Sequence, residues 1–249
     1  MIDAEKVAPV PLYHGLGYCK LIDAMGSDES VVEAARTSTG KGFLGWGPKE
    51  DGQPGDEKFL AYLWKNRHVS PSEMAAMVVQ YEVPIFVERQ MVRHRSASRN
   101  ELSGRYSKFD ELWWRPAPED VRVQDTKNKQ GSVAGSLSDE QREALARRFD
   151  AACKASFDEY LALIEGGMAR EQARGVLPVA MMTRVRVSAN LRNMLHMLGL
   201  RLDPHAQAET VELARAIASF VSLLFPRTWA LFVADNECAK DVQPAKVIP

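Results

Sequence analysis

One run of consecutive residues concentrates groups able to do chemistry: Arg93-His94-Arg95-Ser96-Ala97-Ser98-Arg99-Asn100-Glu101-Leu102-Ser103-Gly104-Arg105-Tyr106-Ser107. Arginines, a histidine, a glutamate, an asparagine and several hydroxyls follow one another with almost no apolar residue between them. Burying so many unpaired charges would cost far more than packing returns, so the run reads as a loop and not as a core element. Gly104 and the Ser/Asn content favour turns whose backbone N–H groups are free to face a ligand. Converging arginines need an anion between them, and the planar guanidinium fork matches phosphate or carboxylate. A solvated charged surface is the competing explanation.

The elements that must hold this loop can be read from periodicity. Pro84 suits the first turn of a helix, where its missing N–H costs nothing, and a helix over 85–92 brings Phe86, Gln90 and Arg93 to adjoining faces. The helix dipole favours a terminal cation by only ~0.5 kcal/mol. That is too little to collect Arg89, Arg93 and Arg95, and anion binding explains them better. Upstream, Leu16 to Ile22 reads as an opening strand, and Ser27 or Asp28 caps a helix to about Thr37. The Gly- and Pro-rich stretch 40–55 reads as a mobile loop whose Phe43 and Trp46 suit a lid, a subunit contact or a plain insertion. Phe59, Leu60, Leu63 and Trp64 give 56–66 helical spacing. His68-Val69-Ser70-Pro71-Ser72-Glu73 is a turn, and Glu73 opens a strand over 74–83.

Downstream of Trp113 and Trp114, residues 115–137 read as a long polar connection. Ser138-Asp139-Glu140-Gln141 is a capping-box pattern, opening a long amphipathic helix that ends at Gly166-Gly167. Cys153 lies inside it and reads as packing. A short helix over 168–177 stops at Pro178, and an alternating strand over 179–188 leads into Asn190. The next helix puts Leu191, Leu195, Leu198 and Leu202 on a core face, with Asn190, Met194, Met197 and Arg201 on a second stripe and Arg192 and His196 on a third. His205-Ala206-Gln207-Ala208-Glu209 starts a last long helix to about Leu224, read as fold or subunit contacts. Pro226 breaks that helix, a short helical stretch runs to about Ala234, and the tail 241–249 reads as loosely ordered.

Across 249 residues the net charge is −1, which argues against a general nucleic-acid binder. The charge near Arg93 is local and suits a small anion. Cys19, Cys153 and Cys238 lack metal-ligand spacing and pair into no framework, which fits a reducing cytoplasm. No signal pattern or bilayer-length apolar stretch appears, so a soluble cytoplasmic protein without a membrane partner is expected.

Arg93-His94-Arg95, seven residues, then Ser103-Gly104-Arg105-Tyr106-Ser107, with Asn100-Glu101 between, closely resembles the signature of the flavin-dependent thymidylate synthases. The resemblance implies one α+β domain over 1–249, a mostly antiparallel sheet flanked by long helices with the thymidylate synthase-complementing protein-like fold. It implies a homotetramer with shared active sites. The implied reaction is reductive methylation of dUMP to dTMP, with methylenetetrahydrofolate giving the carbon and NADPH reducing FAD. By the same resemblance Gln90, Arg93, Glu101, Ser103, Gly104, Arg105, Arg174 and Arg201 are expected at dUMP, Arg201 on the uracil. His68, Ser70, Glu73, Arg93, His94, Arg95, Ser96, Glu101, Asn190, Arg192 and His196 are expected at FAD. Ala35-Arg36-Thr37-Ser38 is similar to a flavin-touching segment, although a capped helix end explains it equally well. Met74 stands where many members carry a second histidine after the glutamate.

Methylating C5 of uracil normally needs a nucleophile at C6, and a cysteine in that role must be a thiolate in an electropositive pocket. None of the three cysteines lies in a basic stretch, so the cysteine-dependent type is not supported. Reduced flavin supplies another route. Ser103 is a nucleophile candidate with no evident base, and a binding role suits it better. No Gly-x-Gly-x-x-Gly follows a strand, which argues against a Rossmann flavoprotein. Two alternatives remain: a related pyrimidine-nucleotide methyltransferase or hydroxymethyltransferase, and a single-strand nucleic-acid binder using the arginines with Trp113 and Trp114.

Overall fold

Alternate residues of two long strands, and of the first half of a third, are buried and mostly apolar, and this alternation builds the sheet on which the rest of the chain is laid. In the computed structural model, which describes residues 2–48, 52 and 54–248, the elements are as follows. The first half holds β1 (Val10–Leu12), β2 (Gly17–Met25), α1 (Asp28–Arg36), α2 (Asp56–Lys65), β3 (Ala76–Pro84), α3 (Ile85–Met91) and β4 (Ser98–Glu101). The second holds β5 (Val123–Gln124), β6 (Ser132–Val133), α4 (Asp139–Glu165), α5 (Arg170–Ala173), β7 (Met182–Asn190), α6 (Leu191–Arg201), α7 (Ala208–Leu224) and α8 (Pro226–Asp235). The main sheet runs β1-β2-β3-β7-β4, antiparallel at every pairing. The fold is thus a single α+β domain with a mostly antiparallel sheet and several helices.

Leu21, Val79, Tyr81, Val185 and Val187 point from the sheet into the main core, where Leu213, Ile217, Phe220 and Val221 of α7 and Leu195 and Leu198 of α6 meet them. The opposite sheet face is polar and cross-braced: Arg186 donates to Gln80, Gln80 donates to the Tyr18 hydroxyl, and Arg184 pairs with Glu82. A second, smaller core joins Trp113, Cys153, Phe157 and Tyr160 to Ala173 and Met181, so α4 carries the segment leading to Arg174. The expected caps form: Ser27 and Ser138 each make a reciprocal capping box, and Gly167 takes the left-handed conformation (φ 93°) after α4.

Several boundaries differ from expectation. The Arg93–Ser107 run is not all loop, because Ser98–Glu101 pairs with the free edge of β7. An edge strand needs only its backbone satisfied, so it tolerates exposed Ser98, Asn100 and Glu101. β1 was not anticipated, and Ser70–Met74 form a 3-10 turn, so the strand starts at Ala76 and not beside Glu73. Residues 168–177 divide into α5 and a 3-10 turn over Arg174–Val176. The polar connection contains the β5–β6 hairpin. The segment at His205 precedes α7, which starts at Ala208, and Pro226 opens α8 as its first residue. The tail is pinned, not loose, over its described residues 241–248, with Pro249 lying outside them: Val247 bridges Val7, and the Ala245 N–H donates to the Ser219 carbonyl at 3.0 Å. Val242 and Ala245 are buried there, which supplies the apolar reason.

The glycine-rich stretch forms no regular element among its described residues, and Lys49, Glu50, Asp51 and Gln53 lie outside them. Its start is tied down. Buried Asp56 accepts from the Leu44 N–H at 2.6 Å and pairs with Arg36, while the Arg227 guanidinium lies 4.3 Å from the Trp46 ring centre. Phe43 and Trp46 pack against the main core rather than standing free.

Candidate functional site

The path β3–Pro84–α3 places Gln90 and the Arg93–Arg95 turn beside α6, because β3 and α6 are consecutive in space through β7. At the end of α6, Arg201 donates from Nε to His94 Nε2 at 2.9 Å and from Nη2 to the Gln90 carbonyl at 3.1 Å. Burial, then the positive charges of Arg201 and Arg99 and the nearby His196, hold the His94 pKa down to about 4. His94 is therefore a neutral imidazole with its Nε2 lone pair facing Arg201. Burial also lowers the Arg201 pKa.

A cavity of about 350 Å³ opens there, with Arg93, Arg95, Ser96 and His196 around His94 and Arg201, over an apolar floor of Val187, Met194 and Met197. Ser96, Asn193, His196 and Leu200 also line a second cavity of about 770 Å³, so the two share a wall. The larger one combines apolar Leu63, Leu195 and Phe232 with His68, Ser72 and Arg192. Arg192 pairs with Glu73, and Asn193 Nδ2 donates to the Ser96 carbonyl at 3.1 Å. Apolar walls with a few donors and a cation suit a flat heteroaromatic group carrying phosphates, and this donor set fits a flavin nucleotide.

A third cavity, of about 520 Å³, gathers Arg89, Glu101, Ser103 and Arg174. Among the described residues none lines both it and the His94–Arg201 cavity. Glu101 accepts from the Thr183 hydroxyl at 2.8 Å, and Arg105 pairs with Glu171 at 3.1 Å. Among the described residues Ser103 Oγ accepts only from the Arg105 N–H, at 3.3 Å, and no base is hydrogen-bonded to it. Gly104 is not an open ligand loop: it is buried, and a Cβ there would overlap the Phe109 ring and crowd Arg174.

Most sequence-expected residues thus fall into two joined cavities and a separate groove. Glu73, Gly104 and Arg105 line none of the three, and four other residues depart from the expected pattern. Asn190 lines neither cavity; its Oδ1 accepts the Asn193 N–H at 3.0 Å and caps α6. Ser70 is exposed on the 3-10 turn while Ser72 faces the cavity. The Gln90 side chain turns away to Gln207, and Arg36 is consumed by Asp56 and by Phe59, 4.5 Å from its ring centre. Thr183, Asn193, Gln207 and Ser72 were missed. Gln207 and Ser72 had a signal, their places in the His205–Glu209 and His68–Glu73 segments. Burial raises the Cys19 and Cys153 pKa values, and no cysteine lines the three cavities.

The profile described as "Thymidylate synthase complementing protein" matches residues 20–227. The chain belongs to this family. It is 43% identical over 216 residues to a flavin-dependent thymidylate synthase of Thermus thermophilus, covering 87% of this chain and 75% of that relative. It is 40% identical over 217 residues to one of Kosmotoga olearia, covering 87% and 90%. Among solved structures, the UMP/dUMP methylase PolB from Streptomyces cacaoi bound with 5-Br UMP superposes with a TM-score of 0.77 at 30% identity, covering 88% of this chain and 94% of that one. No helix among the described residues is long and apolar enough to cross a membrane.

Proposed function

We propose that the protein catalyses reductive methylation of dUMP to dTMP, with methylenetetrahydrofolate as carbon donor and NADPH-reduced FAD as hydride source. The observation that carries this reading is Arg201, held by neutral His94 at the rim of a cavity that shares a wall with a flavin-compatible one. The flavin, when bound, supplies the hydride. The chain's own groups bind, orient and polarise.

Arg201 has Nε and one Nη2 proton committed, which leaves Nη1 to hydrogen-bond the uracil and stabilise negative charge developing on the ring. A fixed cation of this kind lowers a barrier by ~3 kcal/mol in a dry site. Arg93, Ser103, Arg105 and Arg174 hold phosphate and sugar, with Glu101 completing nucleotide recognition; buried Gly104 acts by letting Phe109 and Arg174 pack closely, and Gln90 acts through its carbonyl on Arg201. His68, Glu73, His94, Arg95, Ser96, Arg192 and His196 hold the flavin; Ser72 takes the part expected of Ser70, and Asn190 acts by capping α6. Because the groove at Ser103 and Arg174 is separate from the Arg201 cavity within one chain, the complete site forms between subunits of a homotetramer. The free cysteines suit the reducing cytoplasm.

A second reading keeps the chemistry and changes the nucleotide. The Streptomyces cacaoi protein is named a UMP/dUMP methylase, so UMP is the competing substrate. Purified protein with FAD, NADPH and methylenetetrahydrofolate is given dUMP or UMP, and the product mass is read. A methylated dUMP supports the proposal. A hydroxymethylated product, preference for UMP, or no product from flavin-loaded protein overturns it.

A further inference from the structure

Beneath the Arg93–Arg95 turn lies a buried ionic cluster that no step above uses. Glu88 on α3 is only 5% exposed, and Tyr81 of β3 is fully buried beside it. Arg99 reaches in from β4 and closes a triangle. Its Nη1 donates to Glu88 Oε1 at 3.0 Å and to the Tyr81 hydroxyl at 2.8 Å, while the Tyr81 hydroxyl donates to Glu88 Oε2 at 2.7 Å. The second Arg99 nitrogen, Nη2, donates to the Met91 carbonyl at 2.5 Å.

That carbonyl is the decisive one. Met91 ends α3, where helical carbonyls lack intrahelical partners, and the same oxygen accepts the His94 N–H at 3.1 Å. Arg99 therefore grips the atom that closes the turn presenting His94 to Arg201. Asn193 holds the other end through the Ser96 carbonyl. Tyr81 and Arg99 line the same 350 Å³ cavity as His94 and Arg201, so the cluster is also part of its wall. Replacing a buried ion pair by apolar groups is often neutral or stabilising, so stability alone does not account for placing one here.

We infer that Tyr81, Glu88 and Arg99 are positioning residues that fix the Arg93–Arg95 turn, and through it the contact of His94 with Arg201. The claim rests on the dUMP reading for its functional consequence and on geometry alone for its structural one. The test is the double variant E88M/R99M, which removes both charges together and leaves neither unpaired. In ligand-free protein, ¹⁵N NMR of the imidazoles reads whether His94 Nε2 still accepts a hydrogen bond. In parallel, dUMP affinity and the KM and kcat for dUMP are measured.

The expected result is a folded variant in which the His94 Nε2 signal moves toward that of a solvated imidazole, dUMP affinity falls about tenfold, and KM changes more than kcat. A folded variant with the wild-type His94 signal and wild-type dUMP affinity overturns the inference. If the double variant does not fold, R99K is read the same way, because it keeps the buried charge but loses the fork that spans Glu88 and the Met91 carbonyl. Failure of wild-type protein to bind dUMP would sink the proposed function, while the NMR result would still decide the positioning claim.

Discussion

Gly104 offers a sharp test of how the groove at Ser103 and Arg174, the proposed phosphate site, is built. It is buried where the chain after β4 passes Phe109, and it does not adopt a positive φ, so an alanine there meets a steric obstacle and no conformational one. The added Cβ would overlap Phe109 Cε2, stand 3.1 Å from its Cδ2 and stand 3.2 Å from Cδ of Arg174. Overpacking by one methyl costs ~1–3 kcal/mol of stability, unless the half-buried Phe109 ring swings aside. Either response moves the neighbouring Arg174. Losing one charge-assisted hydrogen bond from Arg174 to a phosphate removes ~1.5–3 kcal/mol of binding, or roughly 10- to 150-fold in dUMP affinity. Calorimetric titration of Gly104→Ala with dUMP reads this loss, and thermal melting reads the packing cost. Adding Phe109→Leu removes the ring edge and should recover most of the affinity. Wild-type affinity in Gly104→Ala, or no recovery with Phe109→Leu, would refute the argument.

Arg201→Ala should fold and retain FAD yet bind dUMP about 100-fold more weakly; near-normal dUMP affinity by titration removes its assignment. Asp56→Ala strands the largely buried Arg36 and the Leu44 N–H, so urea unfolding should show a loss of ~3–5 kcal/mol, as for a broken buried pair, and a loss under ~1 kcal/mol would mark it as a surface pair. His94, held near 4 by burial, Arg201, Arg99 and His196, binds its proton more readily unfolded than folded. Stability should therefore fall as pH drops from about 6.5 toward 4, and His94→Gln should flatten that part of the profile in denaturant melts. Finally, mixing inactive Arg174→Ala and Arg201→Ala proteins under subunit exchange should restore activity through sites that carry neither change. No recovery would mean each chain builds its site alone.

Periodic and capped segments were legible in the sequence. Ser27 and Ser138 started helices where their side chains could serve N–H groups, and the leucine spacing of α6 put Leu191, Leu195 and Leu198 in the core. What escaped was structure created by partners distant in sequence. β4 exists because β7 presents an open edge, a fact invisible in a run of arginines and serines. The tail is ordered by Val7 and Ser219, far from it in sequence. Within the site, residue types in the arginine-rich run announced anion chemistry but not its division. Arg99, two positions from Glu101, turns inward to Glu88 while Glu101 meets Thr183. Met74 stands exposed beside the Glu73–Arg192 pair, and its side chain lines none of the three cavities.

The proposed reaction requires a flavin and dUMP to meet at the wall shared by the two cavities. The measurement that tests it most directly is the visible absorption spectrum of FAD-loaded protein during anaerobic addition of NADPH, with and without dUMP. Flavin bands that bleach, at a rate that dUMP changes in wild type but not in Arg201→Ala, are the predicted result. Protein that takes up no flavin, or flavin whose reduction is indifferent to dUMP, would contradict it.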